Sequence, residues 1–149
     1  MINNILSDSS RYPRLFNWNG KLLSKDIDSW ESEFQIKVPK DLKTLWSVEG
    51  GGDLFESETI LQPVAANDDD LIMPVSRMFW KNGLKSDYYI FHTGLCLSAF
   101  HSANGLLITL RLADKSPIAE FSDLDKWYVE TLRKEYGGRY KLSSIPKPS

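Results

Sequence analysis

The sequence predicts an α+β fold, an antiparallel β-meander flanked by an N-terminal helix pair and a C-terminal helix. Three observations carry this. Ile27, Trp30 and Phe34, then Leu42, Leu45 and Trp46, recur at helical spacing on either side of a Val38-Pro39 break. From Asp87 to Leu112 the period of apolar residues becomes two, the period of a strand. From Leu124 to Leu132 it is helical again, and Gly137-Gly138 ends the run. No repeat or linker divides the 149 residues. A single domain is expected, its core spanning about residues 24–136, with flexible ends at 1–13 and 143–149.

In chain order, residues 1–13 are rich in Ser, Asn and Asp and read as a loose arm. Asn19-Gly20 is a hairpin signal, so a small hairpin or irregular lead-in is expected there. Ser24 suits the N-cap of the first helix, whose face of Asp28, Glu31 and Glu33 reads as wet. Pro39 suits the first turn of the second helix, and Gly50 to Gly52 read as its stop. A short strand follows at Glu58 to Gln62, closed by Pro63, then the acidic loop AANDDD. Met73 to Gly83 shows no clean period and reads as a loop with one helical turn. Tyr88 to Thr93 and Leu95 to Ser102 are strands, and a two-residue turn at Asn104-Gly105 returns the chain as Leu106 to Leu112. That turn pairs Leu97 with Leu112 and Ala99 with Leu110, giving one dry and one wetter face, hence a sheet covered on one side. Pro117 to Phe121 reads as a short strand or connector, and Ser122 with Asp125 forms a capping-box variant before the last helix.

Composition narrows the function classes. A hydrophobic fraction of 42% and a charged fraction of 26% are those of an ordinary globular protein. The net charge of −2 argues against direct nucleic-acid binding, which calls for a basic excess. One cysteine, Cys96, allows no internal disulfide. The N-terminus lacks the pattern of a signal peptide, and no apolar run approaches the roughly 18 residues of a membrane span, so a cytoplasmic protein away from membranes is expected.

A search for chemistry finds no catalytic constellation, metal set or cofactor motif. Cys96 and His101 lie an odd number of residues apart on a strand and face opposite ways; His92 and His101 lack a third ligand. Cys96 near His92 suggests a thiol–imidazole pair only superficially, since no helix N-terminus activates the thiol. The glycine run follows a helix and is not a phosphate loop. The remaining candidates are partner-binding residues. Asp68, Asp69 and Asp70 form an acidic run suited to a basic protein partner, and Phe79 and Trp80 beside Arg77 and Lys81 have the composition of an interface hot spot.

The stretch IDSWESEFQIKVPKDLKTLWSVEGGGDLF resembles the SMI1/KNR4 family of the SUKH superfamily, through Trp30-Glu31, Val38-Pro39, Asp41-Leu42 and Gly51-Gly52. The strand pair around Tyr89 to Ile108 and the closing helix from Phe121 to Leu132 fit the family's layout, so the resemblance covers roughly residues 24–136. It implies β-strands flanked by helices at both ends, no catalytic residues and no cofactor. Bacterial members are mostly thought to be immunity proteins that bind and neutralise a cognate polymorphic toxin, often a nuclease or deaminase; fungal members are regulatory adaptors. The expectation is a non-enzymatic immunity protein acting by protein–protein contact, the alternatives being a scaffold adaptor without a toxin or a small enzyme using a cleft carboxylate or Cys96.

Overall fold

Seven strands, each hydrogen-bonded to the next in sequence, form one antiparallel sheet in the computed structural model, which describes residues 2–145. They are β1 (Phe16–Trp18), β2 (Gly52–Leu54), β3 (Glu58–Ile60), β4 (Tyr88–Thr93), β5 (Leu97–His101), β6 (Leu107–Leu110) and β7 (Pro117–Phe121). The helices are α1 (Asn3–Arg11), α2 (Ser24–Phe34), α3 (Lys40–Val48), α4 (Ile72–Lys81) and α5 (Leu124–Tyr128). The last continues through a π-helical stretch, Val129–Arg133, into α6 (Lys134–Tyr136). This is the α+β meander with helices at both ends that the periodicities predict. No helix among the described residues is long and apolar enough to cross a membrane.

The sheet centre is buried on both faces, where the sequence predicts cover on one. Alternate residues of β5 point opposite ways. Ser98 accepts the indole N–H of Trp127 from α5, whereas Leu97 lines a groove with Val75 and Met78 of α4. Ser98, Phe100 and Thr109, expected on the wetter face, are 0%, 0% and 2% exposed. The β5–β6 register also differs. Leu97 pairs with Leu110 and Ala99 with Ile108, because Asn104 and Gly105 sit within a longer loop closed by a His101 N–H bond to the Leu106 carbonyl. The shift is two residues, so each side chain keeps its predicted face.

Residues 3–11 form a helix instead of a loose arm. Ile2, Ile5 and Leu6 supply an apolar stripe, and Ile5 is fully buried, worth about 2 kcal/mol. Asp8, only 3% exposed, accepts the Arg133 guanidinium (2.7 Å from Nε) and the Tyr128 hydroxyl (2.6 Å). At the far end, Ser143 donates its N–H to the Tyr12 hydroxyl and accepts Arg133 through its carbonyl, so this residue is held too. Residues 146–149 of the expected flexible tail lie outside the described ones.

No β1 hairpin forms at Asn19-Gly20; β1 pairs with β2 across the intervening helix pair. Ser24 opens α2 without a side-chain cap. Glu31, read as part of a wet face, fastens α2 to α3 instead. Its carboxylate accepts the Val38 N–H (2.8 Å) and the Lys43 ammonium (2.5 Å). Asp41 then accepts the Leu124 N–H, tying the start of α3 to the start of α5. Gly50 ends α3 with φ +83°, as expected of a helix stop. Gly51 and Gly52 answer a different need: an added Cβ would meet the Ile60 or Asn17 carbonyl at 2.4 Å.

Residues 72–81 are a helix, α4, not a loop. Pro74 obscures it in sequence, yet it falls in the first turn, where no N–H is needed. Asp125, expected in a capping box, caps α1 instead through the N–H groups of Asn4 and Ile5, while Asp123 caps α5.

Candidate functional site

Two polar or semi-polar assemblies stand out, one sealed in the core and one open at the surface. The sealed one is a chain of hydrogen bonds across the sheet. The Trp127 indole donates to Ser98 Oγ (2.9 Å), Ser98 meets His92 Nδ1 (2.8 Å), and His92 Nε2 meets Glu58 Oε1 (2.8 Å). Glu58 also accepts from the Leu95 N–H, the Tyr136 hydroxyl and the Ser57 hydroxyl. A bulge in β4 makes this possible. His92 pairs with Ser98 after Ile90 pairs with Ala99, so Phe91 is the extra residue and the imidazole turns to the Trp127 side. Gly94 leaves room for the carboxylate: a Cβ there would lie 2.1 Å from Glu58 Oε1. Phe55 stacks on Tyr136 at 4.8 Å and holds that phenol over the site.

Ser, His and Glu in series have the residue types of a nucleophilic triad. Here Ser98, His92 and Glu58 are 0%, 0% and 1% exposed, and Ser98 is already bonded to Trp127. A reacting group must touch its substrate, and these are enclosed by Phe91, Trp127 and Tyr136. Burial pushes the His92 imidazole below its ordinary value, although Glu58 pulls it up. Burial alone would raise the Glu58 carboxyl, but hydrogen bonds from His92, Tyr136 and Leu95 outweigh it and hold it lower. The pair is therefore a neutral imidazole donating to a carboxylate that is solvated by protein donors. Burial also raises the Cys96 thiol, and both His92 nitrogens are taken by other groups, so no thiol–imidazole pair forms. His101 sits by Tyr88 and Asp87, away from His92 along β4. No group of three or more His, Cys, Asp or Glu among the described residues is placed to hold a metal ion.

The open assembly is a surface groove of about 540 Å³ between α4 and the sheet. Pro74, Val75, Met78 and Phe79 form its helical wall, Leu97 of β5 and Leu112 of the β6–β7 connection the side opposite, and Asp68 and Asp69 its rim. The spacing Val75, Met78, Phe79 follows from α4 being a helix: positions i, i+3 and i+4 share a face. Met78 is 51% and Leu112 49% exposed, so the groove presents apolar surface to solvent. Lys115 stands over the Phe79 ring at 5.7 Å and donates to the Leu112 carbonyl.

Of the residues marked in the sequence, Asp68, Asp69 and Phe79 meet in this groove. Asp70 does not. It is half-buried in a separate polar hollow with Asn19 and Asn67, and burial, with Asp53 and Asp69 nearby, raises its carboxyl. Trp80 is an anchor, its indole donating to the Tyr88 carbonyl at 2.8 Å and its ring edge meeting Tyr89. Met78 was not legible as a site residue because, with Met73 to Gly83 read as a loop, no shared helix face shows, and Leu112 and Lys115 lie far along the chain, between β6 and β7. No family model matches the chain, and no curated protein matches it.

Proposed function

We propose that the chain is a non-enzymatic binding protein of the SMI1/KNR4 (SUKH) immunity type. It neutralises a cognate bacterial toxin, a basic nuclease or deaminase, by protein–protein contact. The observation that carries the reading is the groove: an apolar floor with two exposed carboxylates, Asp68 and Asp69, on its rim. An apolar concavity supplies affinity through burial, and acidic rim groups steer a basic partner and fix its orientation. The Trp30-Glu31, Val38-Pro39 and Gly51-Gly52 pattern supports the same assignment by resemblance.

Co-expression with the toxin encoded beside this gene tests the proposal. Cells carrying the wild-type chain are expected to grow, and cells carrying Met78→Lys with Leu112→Lys, both at half-exposed groove positions, to die. A toxin that kills equally well with and without the wild-type chain overturns the reading.

A further inference from the structure

The groove has a polarity along α4. Asp68 and Asp69 precede the helix and stand at one end. Phe79 lies seven residues beyond Ile72 and carries the Lys115 ammonium on its ring face, so a held cation marks the other end. Lys115 does not swing freely, because its Nζ also donates to the Leu112 carbonyl at 3.0 Å. At a helical rise of about 1.5 Å per residue, Ile72 at the start of α4 and Phe79 beneath Lys115 are about 10 Å apart. That is the reach of three to four residues of extended chain. Between them the floor is Val75, Met78 and Leu97; Asp68 and Asp69 are the charged residues of the lining, and Lys115 stands beside it against Phe79 and Leu112.

We propose that the groove is a charge-polar clamp for an extended segment of a partner protein. The segment carries a cationic side chain, then two or three aliphatic residues, then an anionic side chain. The cation meets Asp68 and Asp69, the aliphatic residues cover the floor, and the anion meets Lys115. This deepens the docking reading above and rests on it. A purely basic segment would be attracted at one end and repelled at the other, so the clamp discriminates by charge order and not by charge alone.

Three blocked peptides added to the full-length chain, followed by amide chemical-shift titration, test this: KLLLE, KLLLK and ELLLE. KLLLE is expected to shift amides around Val75, Phe79 and Leu97 and to bind about two- to fivefold more tightly than either of the others, the range of an exposed ion pair. Asp68→Lys with Asp69→Lys is expected to turn the preference to ELLLE, and Lys115→Glu to turn it to KLLLK. All these positions are at the surface or half-exposed, so the variants keep the fold, which the unshifted core amides report. Equal binding of the three peptides, or shifts confined to another surface, overturns the clamp. So does concentration-dependent self-association that moves the same amides without peptide, which would make a second copy the occupant. Peptide discrimination without protection in co-expression keeps the clamp and removes the toxin; protection without discrimination does the reverse.

Discussion

Glu58 shows how one side chain can order the middle of a sheet. A carboxylate 1% exposed would be costly alone, but four groups on three parts of the chain donate to it: His92, Leu95, Tyr136 and the adjacent Ser57. Removing it strands those donors, so Glu58→Ala is expected to cost about 3 kcal/mol in urea unfolding. The same pair sets a pH dependence whose sign is fixed by geometry. His92 is held below its ordinary 6.5 and Glu58 below its ordinary 4.5. At both groups the unfolded chain takes up protons at a higher pH than the folded one. The pair's contribution to stability is therefore complete well above pH 6.5, falls as the pH drops towards the folded value of His92, and falls again below pH 4.5 as Glu58 is protonated. Urea midpoints across this range are expected to decline with acidification. His92→Gln should flatten the upper part of the slope, whatever its absolute stability. An unchanged slope in that variant would show that other groups govern the acid response.

Elements docked by single carboxylates give a second test. α1 is held at its start by Asp125, which accepts the Asn4 and Ile5 N–H groups, and at its middle by Asp8 against Arg133 and Tyr128. Asp125→Ala removes a cap and is expected to cost about 1 kcal/mol, with faster hydrogen exchange confined to the first turn of α1. Asp8→Ala leaves a largely buried guanidinium without its partner and is expected to cost about 3 kcal/mol, releasing the whole helix. β4 to β6 and the two main helical runs were legible because each repeats its period over enough residues to be recognised, whereas β1 and β2, three residues each, are too short to show one. α1 was not, although Ile2, Ile5 and Leu6 mark its stripe, because Ser, Asn and Asp are poor helix formers and the stabilising partners lie at residues 125, 128 and 133. α4 was hidden by a proline whose position in the first turn makes it harmless. The Glu58–His92 pair, 34 residues apart, depends on a bulge at Phe91 that no periodicity announces.

On the scale of the whole molecule, the sealed polar chain and the open groove occupy opposite sides of β5, one behind Ser98 and the other before Leu97. Half of the groove was readable as composition, through Asp68, Asp69 and Phe79. Leu112, with Lys115 beside it, is brought in by the β6–β7 connection over more than thirty residues of intervening chain. The separation has a kinetic consequence. Asp68 and Asp69 are exposed at the rim, so in the proposed complex they act mainly during approach, while Val75, Met78 and Leu97 act once contact is made. Salt shortens the reach of the former, with a screening length near 10 Å at 0.1 M and about 3 Å at 1 M, and leaves apolar burial intact. Association with a basic toxin is therefore expected to slow by about tenfold between low and high salt, while dissociation changes little. Asp68→Asn with Asp69→Asn should slow association at low salt and flatten its salt dependence. Met78→Ser should speed dissociation at every salt concentration. Stopped-flow measurement of both rates separates the two contributions, and a salt response left intact by the double Asn variant would place the steering charges elsewhere.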